Sequence, residues 1–253
     1  MDLHLKGKVA IVTGGGRGIG KGCVRALAEE GANIAVADLA HDDETRAGLA
    51  EIAEACDVTI LPLDCDVSNE EAIASLYDAA EAALGPIDLL VNNAGRGAIR
   101  KRFDQLTTED WRSVQDITLN SQFFMSREFT RRAIEAGRGG AIVNVLSKSA
   151  FTTNSVDNTT YISAKSGAYG LTKGMAKEMI GYGIRVNGVI PGYVQTERTY
   201  PDGDARTERM RALLPTGAFT TPYEIGQTVA FLLSDCSAQI IGTAIDITGG
   251  TML

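Results

Sequence analysis

"KVAIVTGGGRGIG" occupies residues 8–20, and three kinds of sequence meet in it. Residues 8–13 form a short, β-branched and nearly continuous apolar run, the pattern of a strand covered on both faces. A glycine-rich turn follows, and from about Gly18 the apolar residues recur at helical spacing. Glycines at 14, 18 and 20 let a backbone turn tightly and come close to a pyrophosphate, whose charge is favoured at a helix N-terminus. The spacing is G-x-x-x-G-x-G, one residue longer between the first two glycines than the usual dinucleotide-binding turn.

Working outward, the strand–helix alternation repeats along the chain. Further strands are expected at 33–37, 58–63, 88–93, 141–146, 184–190 and 243–248. Helices are expected at roughly 18–30, 42–55, 70–84, 109–136, 161–181 and 223–234. Ser68 with Glu71 has the form of a capping box, and Gly31 and Gly183 stand where helix-ending glycines belong. Such alternation predicts an α/β fold, a Rossmann-type doubly wound parallel sheet of about seven strands within a single domain. The rhythm breaks at 196–222, rich in Thr, Pro, Gly and charge. A segment that long between elements reads as a substrate-binding lid, with "DARTERMRALLP" as its helical piece.

Composition narrows the function. The chain has 253 residues, 44% hydrophobic and 22% charged, with net charge −8 and a sequence pI of about 4.9. A nucleic-acid binder carries a basic face, so nucleic acid is not an expected partner. Four cysteines (Cys23, Cys56, Cys65, Cys236) lack C-x-x-C spacing, which removes metal-finger and thioredoxin readings and suits reduced thiols. No metal is expected. His4 and His41 are the only histidines, both in regions that read as terminus or loop, which disfavours a Ser-His-Asp hydrolase. No leader-like apolar segment or run near the ~20 residues of a membrane span occurs, so the expected location is cytoplasmic.

Asp38 closes the second predicted strand about twenty residues after the glycines. A carboxylate there accepts hydrogen bonds from adenosine ribose hydroxyls and repels a 2′-phosphate, which favours NAD and makes NADP the lesser candidate. Arg17, inside the turn, is the competing signal.

The turn "TGGGRGIG", "CDV" at 65–67, "NNAG" at 92–95, "YISAK" at 161–165 and "PGYVQT" at 191–196 together resemble the short-chain dehydrogenase/reductase family, over essentially the whole chain. The resemblance implies nicotinamide-dependent interconversion of alcohols and ketones, commonly in a homotetramer, with a dimer as the smaller alternative. It implies a catalytic tetrad of Asn120, Ser147, Tyr161 and Lys165. It also implies cofactor contacts from Gly14, Arg17, Gly18, Ile19 and Gly20 in the turn, Asp38 and Leu39 after the second strand, and Asp66 and Val67 at the adenine. Asn93, Ala94 and Gly95 would line the adenosine side, Tyr161 and Lys165 would meet the ribose, and Pro191, Gly192, Val194 and Thr196 would hold the carboxamide.

Two of the motifs each offer two candidates. "YISAKSGAYGLTK" (161–173) contains a tyrosine followed four residues later by a lysine twice over, Tyr161/Lys165 and Tyr169/Lys173. Residues four apart share a helix face. Ligands of an open parallel sheet sit at the carboxyl ends of its strands, and Tyr161 starts the helix near that edge. Tyr169 lies about 12 Å further along at the standard rise, so it is assigned to packing or a subunit interface. "LSKSAF" offers Ser147 and Ser149; members of the family it resembles usually place the serine three residues after the asparagine of this strand, which from Asn144 implies Ser147, with Ser149 as alternative and one extra residue inferred in the 150–160 loop.

The function expected is NAD-dependent oxidation of a secondary alcohol on a polar small molecule such as a polyol, sugar or hydroxy acid. An NADPH-dependent 3-oxoacyl carrier-protein reductase is the alternative enzyme, supported by the basic "RGAIRKR" at 96–102. A catalytically silent cofactor sensor or scaffold is the alternative of another class. Arg96, Arg100 and Arg198 are candidates for an anionic substrate group.

Overall fold

The computed structural model describes residues 2–153, 156–197 and 199–253. The elements in chain order are β1 (Val9–Thr13), α1 (Gly18–Glu29), β2 (Asn33–Asp38), α2 (Asp43–Cys56), β3 (Ile60–Asp64), α3 (Glu70–Leu84) and β4 (Leu89–Asn92). Then come α4 (Thr108–Gln115), α5 (Ser121–Glu135), β5 (Gly140–Val145), α6 (Thr159–Met179), β6 (Ile184–Pro191), α7 (Ala205–Ala212), α8 (Pro222–Leu233) and β7 (Ala244–Ile247). All seven strands pair in parallel in the order β3-β2-β1-β4-β5-β6-β7. The doubly wound single domain is therefore as the alternation predicts.

The near-continuous apolar runs have a direct cause. Ala10, Val12, Ile34 and Val36 face a core shared with α1 and α8, while Val9, Ile11, Ala35 and Ala37 face another shared with α3, α5 and α6. Each strand buries both faces, so neither parity is free to be polar. On the first face α1 and α8 cross closely: a Cβ on Gly22 would lie 2.2 Å from the Pro222 carbonyl oxygen, and one on Gly226 2.2 Å from that of Gly22.

Sheet order reverses between β1 and β4. That switch point, at the carboxyl edge, is where open α/β sheets bind ligands, and Thr13, Asp38, Asp64, Asn92, Val145 and Pro191 end their strands there.

Two local expectations need correction. The α3 cap is Asn69, whose side chain accepts from the backbone N–H of Glu71 and Ala72 at 2.9 and 3.1 Å. Ser68 is drawn back instead, donating its hydroxyl to Asp66 Oδ1 at 2.6 Å, so the helix begins one residue later than a Ser68 box requires. The helix expected over 109–136 is also not continuous, because a π-helical turn at Asp116–Asn120 separates α4 from α5. Such a turn inserts a residue into the helical ladder and often marks a functional wall. Among the described residues no helix is long and apolar enough to cross a membrane.

Candidate active site

A cavity of about 580 Å³ opens at the switch point, within the range of small-molecule and cofactor pockets. Its floor is the glycine turn. Gly14 (φ +64°) donates its N–H to the Ala37 carbonyl at 2.7 Å. Asn93 Nδ2 donates to the carbonyls of Thr13 and Gly14, both at 2.9 Å, so the β4 loop clamps the turn. Helix α1 then presses on it: a Cβ at Gly20 would stand 1.9 Å from the Gly14 carbonyl oxygen. The turn is thus a bare backbone surface at a helix N-terminus, the setting a pyrophosphate needs. The residues fit a dinucleotide.

At the far end of the turn, Asp38 Oδ2 accepts the Gly16 N–H at 2.7 Å, which leaves its second oxygen to a ligand. Burial raises the Asp38 carboxyl above its ordinary value, against the Gly16 hydrogen bond and the nearby His41 and Arg17. Asp66 forms its own turn, accepting from the Ser68 N–H at 2.9 Å, and this presents Asp66 and Val67 to the cavity.

The reactive end lies where β5 and α6 converge. Beneath it runs a buried polar chain: Asn92 Nδ2 donates to Asn144 Oδ1 at 2.8 Å, and Asn144 Nδ2 to Thr172 Oγ1 at 2.8 Å. This ties β4, β5 and α6 together at the depth of the site. Lys165 is 3% exposed and donates from Nζ to the Val145 carbonyl at 2.6 Å. Its Nζ stands 5.8 Å from the Tyr161 ring centroid. Burial lowers the Lys165 ammonium to about 8. Burial also raises Tyr161, while a hydrogen bond with Ser147 pulls it down. Tyr161 is part-exposed to the cavity, so water there softens the first effect.

The structure brings most of the predicted residues to this one cavity. Gly14, Arg17, Ile19, Asp38, Leu39, Asp66, Val67, Asn93, Ala94, Gly95, Ser147, Tyr161, Lys165, Pro191, Gly192, Val194 and Thr196 all line it. Gly18 and Gly20 are not part of the lining: Gly18 opens α1 at φ +51°, and Gly20 packs against the Gly14 carbonyl. Ser147 lines it and Ser149 does not; the Ser147 side chain also accepts the Ser149 N–H at 3.1 Å. Asn120 stands apart. It closes the π-helical turn, where its Nδ2 donates to Asp116 Oδ1 at 2.8 Å, and it is not part of the cavity wall. Arg96 lines the cavity, Arg100 instead reaches the Val156 carbonyl at 3.3 Å, and Arg198 and the centre of the 150–160 loop lie outside the described residues.

Sequence reasoning passed over three aromatic or charged neighbours. Tyr193 and Tyr200 line the cavity, and Tyr200 stacks on Phe219 at 4.5 Å, joining both ends of the 196–222 segment. Lys148 Nζ sits 3.3 Å from the Tyr193 ring centroid. Their signal was adjacency: Lys148 follows Ser147, and Tyr193 sits inside "PGYVQT". His41, expected in a loop, has a fully buried side chain, with Nδ1 2.7 Å from Asp64 Oδ1.

The fold and cavity define an α/β protein of the doubly wound, dinucleotide-binding type. A family model described as enoyl-(acyl carrier protein) reductase matches residues 14–252. The chain is 38% identical over 251 residues to D-threitol dehydrogenase of Mycolicibacterium smegmatis, covering 98% of this chain and 94% of that one. It is 32% identical over 250 residues to a 3-oxoacyl-(acyl-carrier-protein) reductase of Aquifex aeolicus, covering 99% of each. A short-chain dehydrogenase/reductase from Serratia marcescens superposes with a TM-score of 0.90 at 31% identity, covering 98% of this chain and 99% of that one. The chain belongs to the short-chain dehydrogenase/reductase family. It is an oxidoreductase acting at CH–OH groups on small molecules.

Proposed function

We propose that the protein is an NAD-dependent dehydrogenase of a polar secondary alcohol, with Tyr161 as the acid/base. The convergence of Ser147, Tyr161 and the buried Lys165 on one wall of the cavity carries this reading. A bound nicotinamide ring supplies the hydride acceptor. Tyr161 holds or takes the hydroxyl proton at its phenolic oxygen, and Ser147 donates a hydrogen bond to the substrate oxygen as charge develops there. Bringing a phenol of ordinary pKa about 10 to neutrality needs roughly 4 kcal/mol in favour of the phenolate. Lys165 is the ammonium positioned to contribute, and it also holds the ribose hydroxyls. Burial opposes the phenolate, and the Ser147 hydrogen bond favours it. Asn120 acts as a positioning residue: it fixes the turn that gives Ile117 to the cavity wall.

Asp38 supports NAD, because its free oxygen suits ribose hydroxyls and its charge opposes a 2′-phosphate. Segment 196–222 serves as the lid, since Thr196, Thr199 and Tyr200 reach the cavity from it. Its polar lining, Arg96, and the threitol-active relative favour a polyol, sugar or hydroxy acid over a long acyl chain. The protein is assigned to the cytoplasm as a homotetramer, following the family pattern. The test is a screen of polyols, sugars and hydroxy acids with NAD and NADP, read by nicotinamide absorbance. Turnover of a polyol or hydroxy acid with NAD is expected. Activity confined to 3-oxoacyl thioesters with NADPH would replace the reading.

A further inference from the structure

The least explained polar atom near the cavity belongs to His41. Its imidazole is fully buried between the ends of β2 and β3. Nδ1 lies 2.7 Å from Asp64 Oδ1. A carboxylate only accepts, so Nδ1 carries the proton there. The other nitrogen, Nε2, is buried without a hydrogen-bond partner and stands 3.9 Å from Asp38 Oδ2. Asp38 is the carboxylate already assigned to the adenosine ribose.

A bare lone pair facing a carboxylate in a buried site is electrostatically unfavourable, and one added proton turns the contact attractive. The carboxylates acting on the ring are Asp38 at the end of β2, Asp64 at the end of β3 and Asp42 at the start of α2, while Arg17 in the glycine turn acts on Asp38 and Asp42. Arg46 donates from Nε to the His41 carbonyl at 3.2 Å and pairs with Asp64 at 3.5 Å.

We propose that His41 is a positioning residue for Asp38 and that its protonation makes the choice between NAD and NADP respond to pH. The inference rests on the reading of Asp38 as the ribose-binding carboxylate. With His41 neutral, the negative charge at Asp38 is uncompensated and a 2′-phosphate is repelled. With His41 protonated, Nε2–H shares that charge, the ribose contact of NAD survives, and the repulsion falls.

The test is the ratio of Kd for NADPH to Kd for NADH, measured by fluorescence titration at about pH 6 and pH 8.5. In the natural chain the ratio should fall about tenfold at the lower pH, the scale of one nearby charge. A 2′-phosphate also takes up a proton near pH 6, so His41→Gln supplies the baseline and should show a clearly smaller fall. Equal pH slopes in the two proteins would overturn the inference. A second variant removes the carboxylate instead: in Asp38→Asn the ratio should lose its extra pH dependence and fall only as in His41→Gln, and a fall as large as that of the natural chain would also overturn the inference. The NAD assignment fails separately, if NADPH binds more tightly than NADH at both pH values.

Discussion

Two tyrosine–lysine pairs lie on the same helix, α6, with nearly the same internal geometry. Lys165 Nζ is 5.8 Å from the Tyr161 ring centroid, and Lys173 Nζ is 5.7 Å from that of Tyr169. Their surroundings differ. Lys165 is buried under β5 and bound to the Val145 carbonyl, whereas Lys173 is exposed. Tyr161 opens on the cavity, and Tyr169 packs edge-on against Phe151 at 4.9 Å and beside Leu146 and Ile190. The i,i+4 spacing thus brings the two groups together but gives no chemistry; distance from the carboxyl edge of the sheet decides which pair can meet a substrate.

The most severe way to break that comparison is to remove one hydroxyl at a time. Tyr161→Phe should lower kcat by about 10²–10⁴-fold, the range of a positioned acid/base, with Kd for NADH within about threefold of the natural chain. Tyr169→Phe should leave kcat within about twofold. Steady-state kinetics and cofactor titration check both, and comparable kcat losses in the two variants would mean that both hydroxyls reach the chemistry.

What is legible in the sequence depends on the kind of constraint a residue answers to. The seven strands were legible because a parallel sheet buries both faces of every strand, which imprints continuous apolar runs such as "VAIVT". The cavity motifs were legible because Gly14, Gly20 and Asn93 answer to backbone geometry, which few other residue types satisfy. The π-helical turn at 116–120 was not, since one inserted residue leaves the apolar period almost intact. Nor was the state of Tyr161, because burial, which no spacing records, raises the phenol and lowers the ammonium beside it. Burial at His41 was likewise hidden, because a loop residue is buried only when two strand ends close over it.

Buried charge gives a second, smaller contrast. Lys165 falls from an ordinary 10.5 to about 8 through burial, which corresponds to about 3 kcal/mol against the charged folded state. The sign follows from proton counting. Below about pH 8 both states are protonated and the cost is fully present; between about 8 and 10.5 the unfolded chain binds the extra proton, so folding stability gains as pH rises. Lys165→Met should therefore be more stable than the natural chain at pH 7 by about 2 kcal/mol, after about 1 kcal/mol for the lost hydrogen bond. That advantage should shrink towards pH 10. Denaturant unfolding at both pH values checks it, and a difference independent of pH would contradict a buried ammonium.

The smallest effect sharpens the comparison from the other pair. Tyr169 packs against the small core of Leu146, Ala168 and Ile190, of which Leu146 lines the cavity. Tyr169→Ala removes the edge-on partner of Phe151 and support for Leu146, so a loss of about 1–2 kcal/mol of stability is expected. Because Leu146 then has room to shift, KM for the substrate should rise by a few-fold while kcat holds. Lys173→Ala, at an exposed position, should change stability by less than about 0.5 kcal/mol and leave both kinetic constants alone. A fall in kcat from Lys173→Ala comparable to that from Tyr161→Phe would mean that the second pair reaches the chemistry after all, which its place about two turns from the sheet edge forbids.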